Sequence, residues 1–341
     1  MRRRDFNLGL AGLAAVPAVT RPRRARAEEA ARVRIARQYG LPYLPMMVME
    51  QQRLIEKHGA AQGLPRVRAE WTTLGGTSAL ADGLLRGELD FIVPGVPALA
   101  MLWDKTAGTA REVRALSAVQ SMPFVLVTRN PEAQSIADFS DDDLIALPAV
   151  KISAQAVALE MAVAQRWGVA AYDRLDALTQ ALPHPEAVTA LLAGNSPFTS
   201  HYTVSPFYYY ELANPALHAV LKSYDTLGGK HTNGVLVGTK RFRDANPKVC
   251  AAILAAQHEA NAFIAAHPNE AAQTYIDMAG ETRSSPDEIA RMVADPDIEY
   301  TTTPRQLMAF VDFMRKVGRI KRAPSSWKDL FLPEAHGLGG S

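Results

Sequence analysis

Leu74-Gly75-Gly76-Thr77-Ser78-Ala79-Leu80, running through Leu84-Leu85-Arg86-Gly87 to Phe91-Ile92-Val93-Pro94-Gly95-Val96-Pro97, decides how the rest of the chain reads. A helical pattern over 77–86 stops at Gly87, a β-rich run covers 91–96, and a second helix starts at Pro97. Helix, glycine stop, strand, tight turn and helix form the repeating unit of a sheet covered by helices. The unit recurs: Leu191-Leu192-Ala193-Gly194 leads through a strand to Val204-Ser205-Pro206 and an aromatic helix.

Working outward, strands are expected at 33–39, 66–74, 113–120, 124–128, 145–152, 198–203 and 217–224. Helices are expected at 45–58, 97–105, 155–166 and 186–193, with a mainly helical stretch from Pro247. The fold class is therefore α/β. With 341 residues the chain exceeds what one core usually serves, so two similar lobes fit better than a single large sheet. Each lobe is expected to hold a mixed, mostly parallel sheet flanked by helices. Residues 28–123 with 225–341 make lobe I, and residues 124–224 make lobe II, inserted in the first. The chain then crosses between lobes near 120–124 and near 223–228.

Residues 1–27 read differently. Arg2, Arg3 and Arg4 precede Asp5 and Phe6, an apolar run follows from Leu8 to Val19, and Ala25-Arg26-Ala27 stands before Glu28. A charged start, a short apolar middle and an A-x-A end make an export signal, cleaved near Ala27/Glu28, with a periplasmic destination. Arg3-Arg4-x-Phe6 resembles a twin-arginine signal; a Sec signal and a plain basic arm are the alternatives. Twelve apolar residues are too few to cross a bilayer, and no later stretch reaches 18 uninterrupted ones, so the mature chain is not expected to insert in a membrane. The formal charge is +2, but 1–27 hold seven Arg against one Asp. The remainder carries 30 basic and 34 acidic residues, which gives no reason to expect nucleic-acid binding.

Catalytic signatures are missing. There is no G-x-S-x-G elbow, no phosphate loop, no G-x-G-x-x-G, no H-E-x-x-H and a single cysteine, Cys250, set among apolar residues. No cofactor and no metal are expected. What remains is a set of polar turns at strand ends, where open α/β sheets bind ligands. Tyr39 and Gly40 end the first strand. Thr77 and Ser78 follow a Gly-Gly pair, with a simple helix cap as the alternative. Gly95 and Val96 start a helix before Pro97. Ser153 and Gln155 hold the matching turn of the second lobe. His201, Tyr202 and Ser205 form a polar-aromatic cluster where a buried strand should be apolar.

In order and spacing these turns resemble one family. Gly75-Gly76-Thr77-Ser78-Ala79 followed by Leu85-x-Gly87-Glu88-Leu89-Asp90 is similar to the G-x-S…L-x-x-G-E-x-D stretch of nitrate/sulfonate/taurine-type periplasmic substrate-binding proteins. The likeness continues through Gly95-Val96-Pro97-Ala98, Ser153-x-Gln155-Ala156, Ser200-His201-Tyr202 and the closing Ser326-Trp327-Lys328-Asp329-Leu330-Phe331. The resemblance implies a periplasmic-binding-protein-like (type II) fold whose lobes close by hinge on a small molecule. It implies an ABC permease and ATPase as partners, a monomer, and no enzyme activity. It also implies a ligand site on Tyr39, Thr77, Ser78, Gly95 and Val96 in the first lobe and on Ser153, Gln155, His201 and Ser205 in the second. No arginine stands in these turns to grip a sulfonate or nitrate with a bidentate fork, which leaves carboxylates, aromatic acids and neutral heterocycles open. Two other readings stay open: an enzyme on the same scaffold, with His201 moving a proton, and a periplasmic ligand sensor.

Overall fold

A computed structural model describes residues 32–341; the export signal read on residues 1–27 lies outside the described residues. The chain runs β1 (Arg32–Arg37), α1 (Leu44–Gln51), α2 (Leu54–Ala61), β2 (Arg68–Thr73), α3 (Thr77–Arg86), β3 (Phe91–Ile92), α4 (Val96–Thr106) and β4 (Val113–Ser121). It continues with β5 (Val125–Thr128), β6 (Ile145–Leu147), α5 (Ala154–Trp167), β7 (Thr179–Ala181), α6 (His184–Ala193), β8 (Ser200–Thr203), α7 (Phe207–Leu212) and β9 (His218–Lys222). After α8 (Ser223–Leu227) come β10 (Thr232–Thr239), α9 (Lys240–Ala245), α10 (Pro247–Ala266), α11 (Pro268–Ala279), α12 (Pro286–Val293), β11 (Glu299–Tyr300) and α13 (Leu307–Lys316).

These strands form two sheets. One has the order β11-β4-β10-β3-β1-β2, the other β7-β6-β8-β5-β9. Every strand of the second sheet falls between β4 and β10 of the first, so the second lobe is inserted in the first. The sheets are mixed but less parallel than the sequence reading expects. β1 pairs parallel with β2 and β3, and β6 with β7 and β8. The antiparallel pairs involve β4 and β10 in the first sheet and β5 and β9 in the second, the strands next to the crossovers. A chain that leaves a lobe and returns beside its own exit runs the opposite way.

Both crossovers are pinned at one place. Ser121 Oγ donates to the His231 carbonyl at 2.7 Å, and Ser223 Oγ accepts from the Phe124 amide at 2.8 Å. Ser223 Oγ also meets His231 Nε2 at 2.7 Å, and the His231 ring packs against Phe124, Tyr224 and Phe310.

Several elements differ from the sequence reading, including β7 and β11, which it does not mark as strands. The helix expected at 45–58 is two helices, because α1 closes at Gln52 and Arg53 takes φ 52 before α2 begins. The strand expected at 145–152 ends at Leu147, since Pro148 has no N–H for the ladder and Lys151 turns the chain at φ 65. β10 falls where the sequence reading expects no strand, although it lies in the middle of the first sheet. α10 is the one helix among the described residues long and apolar enough to cross a membrane. It buries Val249, Cys250, Ile253 and Ile264, and packs on α1, α2 and β4 as a core helix.

Candidate functional site

The carboxyl ends of the parallel strands of both sheets meet at a narrow cleft. It is lined from the first lobe by Gln38, Tyr39, Pro42, Tyr43, Thr77, Gly95 and Asn233, and from the second by Pro148, Ala154, Gln155, His184 and Val204. The lobes stand so close that the free cavity is about 20 Å³, room for about one water.

Five helices present their starts to this cleft. Tyr43 is the N-cap of α1, Thr77 the first residue of α3, Gly95 the N-cap of α4, Ala154 the first residue of α5 and His184 the first residue of α6. Helix N-termini carry unpaired N–H groups and a partial positive charge. Convergence of several from two lobes makes a donor-rich wall suited to an anionic or strongly accepting group. Among the described residues no Lys or Arg lines the cleft. Arg37 lies buried at the end of β1, but Glu50 holds it at 2.5 Å, and its guanidinium sits over Trp71.

Behind the second lobe's wall runs a chain of polar side chains. Gln155 Nε2 lies 3.2 Å from His184 Nε2, His184 Nδ1 lies 2.7 Å from His201 Nε2, and His201 Nδ1 lies 2.5 Å from Glu211 Oε1. Phe207 stacks on His184. His201 and Glu211 are wholly buried. Burial pushes His184 well below the ordinary histidine range, with the neighbouring His201 adding to the effect, and pushes His201 down to about 3. Burial also raises the Glu211 carboxyl well above its usual range. Both directions disfavour charge separation between His201 and Glu211.

Of the residues picked from the sequence, Tyr39, Thr77, Gly95 and Gln155 line the cleft. Gly40 does not line it, but its φ of 104 turns the chain so that the Leu41 amide donates to the Ser205 carbonyl at 3.1 Å, joining the lobes. Ser205 takes part through that carbonyl, while its hydroxyl is buried away from the cleft. Ser153 spends its hydroxyl on capping α5, accepting from the Ala156 amide and donating to the Ala149 carbonyl at 2.6 Å. Ser78 is exposed on α3 outside the cleft, and Val96 is core. Tyr202 packs edge-on against Phe124 in the core. His201 is sealed behind His184 and does not line the cleft. The Gly75-Gly76 pair, expected to bring backbone near a ligand, instead lies against Pro183 and Pro148 of the other lobe.

The sequence reading missed His184 and Asn233. His184 precedes the stretch read as helix, and its partner His201 is 17 residues away, so no spacing motif flags it. Asn233 sits on the unassigned β10.

No protein-family model matches the sequence, and no curated protein does. Solved structures do. The alkanesulfonate-binding protein SsuA from Xanthomonas axonopodis pv. citri superimposes with a TM-score of 0.68 at 17% identity, over 87% of this chain and 96% of that one. The periplasmic nitrate-binding protein NrtA from Synechocystis PCC 6803 gives 0.66 at 15% identity, over 90% and 87%. A Candida albicans protein described as having the generic periplasmic binding protein fold gives 0.65 at 13%, over 88% and 95%. The chain has the periplasmic-binding-protein fold. The structures it resembles include periplasmic sulfonate- and nitrate-binding proteins, one of them described as a putative sulfonate ABC transporter component; at these identities the likeness speaks for the fold.

Proposed function

We propose that the chain is an exported solute-binding protein that captures a small organic molecule between its lobes by hinge closure and delivers it to an ABC importer. The observation that carries this reading is the convergence of five helix starts, three from one lobe and two from the other, on one cleft. Such a site is complete only when the lobes approach, which couples ligand binding to closure. The crossover cluster of Ser121, Ser223 and His231 is the hinge in this reading, with lobe bounds at 28–123, 225–341 and 124–224. Export on the signal in residues 1–27 and a periplasmic location follow from it, as do a permease and an ATPase as partners and a monomeric receptor. Without a cation in the cleft, the ligand carries one accepting group, such as a carboxylate, and not a dianionic head.

Thermal melts of the protein against sulfonates, carboxylates, aromatic acids and pyrimidines test this. A ligand at 100 times its Kd adds about 2.7 kcal/mol to stability, a shift of several degrees. A shift from one chemical class supports the reading; conversion of a compound during incubation would favour the enzyme alternative instead.

A further inference from the structure

Gln155, His184, His201 and Glu211 form a chain from the cleft to a buried carboxyl, and in it each imidazole is bonded at both ring nitrogens, with the Thr203 hydroxyl beside it at 3.5 Å from His184 Nδ1. A neutral imidazole has one N–H and one bare nitrogen. Two neutral rings joined at 2.7 Å must therefore point their N–H groups the same way, or the contact would set two lone pairs or two protons against each other. Two arrangements satisfy both the His184–His201 and the His201–Glu211 contacts; with its Nε2 toward His184 the Gln155 amide fits the first, and the second needs that amide turned end for end. If Glu211 is ionised, both rings carry the proton on Nδ1, both donate inward, and His184 Nε2 is bare toward Gln155. If Glu211 carries the proton, it donates to His201 Nδ1, His201 Nε2 donates to His184 Nδ1, and His184 Nε2–H points to Gln155.

The surroundings select between them. The Glu211 side chain has no exposure, and among the described residues its Oε2 has no partner and no Lys or Arg forms an ion pair with it. An ionised carboxylate so placed would leave a charge facing apolar packing, which costs far more than keeping the proton. The raised affinity of Glu211 for its proton and the lowered affinity of both histidines agree.

We infer that Glu211 is a positioning residue, protonated, which sets both histidine tautomers so that the second lobe's wall of the cleft donates hydrogen bonds to the ligand. With His184 Nε2–H donating, Gln155 turns its Oε1 to the ring and its NH2 to the cleft; amide ends exchange by a half-turn. This matches the donor character of the helix starts on the same cleft. An ionised Glu211 would reverse the chain and show the ligand the Gln155 carbonyl instead. The inference deepens the receptor reading of this site and, for the ligand class, rests on it. The expected group opposite Gln155 is an acceptor, a carboxylate or carbonyl oxygen.

Long-range nitrogen–proton NMR of the nitrogen-15-labelled protein at pH 7 reads each tautomer directly, whatever the ligand. His184 and His201 should both show the Nε2–H pattern, and both should keep it in Glu211→Gln, whose amide NH2 replaces the carboxyl proton as donor. An Nδ1–H or imidazolium pattern at either ring in the wild-type protein overturns the inference, as does reversal in Glu211→Gln. A second arm compares acetate, succinate and benzoate with ethylamine, putrescine and benzylamine by thermal melt. Stabilisation by carboxylates alone is expected, and stabilisation by amines alone contradicts a donating wall. Failure of the receptor reading would show as no small molecule of any class binding, while the tautomers would still decide the chain.

Discussion

Gly95 and Ala154 face each other across the cleft: a Cβ placed on Gly95 would lie 2.8 Å from the Ala154 Cβ. Gly95 has φ −72 and ψ 164, a backbone any residue adopts. A side chain there therefore costs nothing in local conformation and acts only on lobe approach. Gly95→Val should hold the lobes apart, raising the radius of gyration in small-angle X-ray scattering. An unchanged radius would mean that the lobes do not rely on this contact.

Gly40 behaves differently. Its φ of 104 lies where a side chain is strained, and a Cβ would also come within 3.0 Å of the Phe207 ring and the Ser205 carbonyl. Gly40→Ala should cost at least about 1–2 kcal/mol and weaken the Leu41–Ser205 bond between lobes. Chemical denaturation measures it; a variant as stable as the parent would contradict the geometry.

The crossover histidine predicts acid sensitivity. Burial lowers His231 to about 4 from its ordinary 6.5. Between those values the unfolded chain holds a proton that the folded chain refuses, so stability is full above pH 6.5 and falls as pH drops toward 4. At roughly 1.4 kcal/mol per unit, this group alone contributes on the order of 3 kcal/mol. His184 and His201 act in the same direction. Denaturant midpoints between pH 4 and 7 should show this slope, and His231→Gln should flatten part of it. An identical slope in the variant would show that His231 is not the group refusing the proton.

A second link between lobes joins Arg319, past the end of α13, to α5. Its guanidinium bonds Glu160 and donates to the Lys151 carbonyl at 2.8 Å. Burial raises the Glu160 carboxyl to about 8, against the opposing pull of Arg319. The folded state then keeps the proton above the ordinary 4.5, so this carboxyl favours folding less as pH rises toward 8. Removing the cation raises it further. Arg319→Met should destabilise more at pH 9, where an unpaired buried carboxylate costs about 3–5 kcal/mol, than at pH 6, where Glu160 holds its proton. Equal losses at both values would contradict a buried, pH-dependent pair.

Much of this architecture was legible because glycine stops and proline starts punctuate short α/β units. Thr77–Arg86 follows from its flanking glycines, and the strand-end rule led to Tyr39, Thr77, Gly95 and Gln155. Legibility failed where a residue's role depends on distant partners. Ser153 reads as a polar turn whether it caps a helix or meets a ligand, and only the Ala149 and Ala156 bonds decide. His201 looked like a wall residue because it is polar on a strand, yet His184 stands in front of it. β10 is not legible in the sequence because its place between β3 and β4 is set by tertiary pairing.

The central claim is that a ligand bridges the lobes. Isothermal titration of the best compound from the melts against Thr77→Val and Gln155→Leu tests it most directly, because Thr77 lies on one side of the cleft and Gln155 on the other. Each variant removes one polar contact, so each should weaken binding by about tenfold, the equivalent of about 1.4 kcal/mol. Loss confined to one variant, or to neither, would contradict a site shared between the lobes.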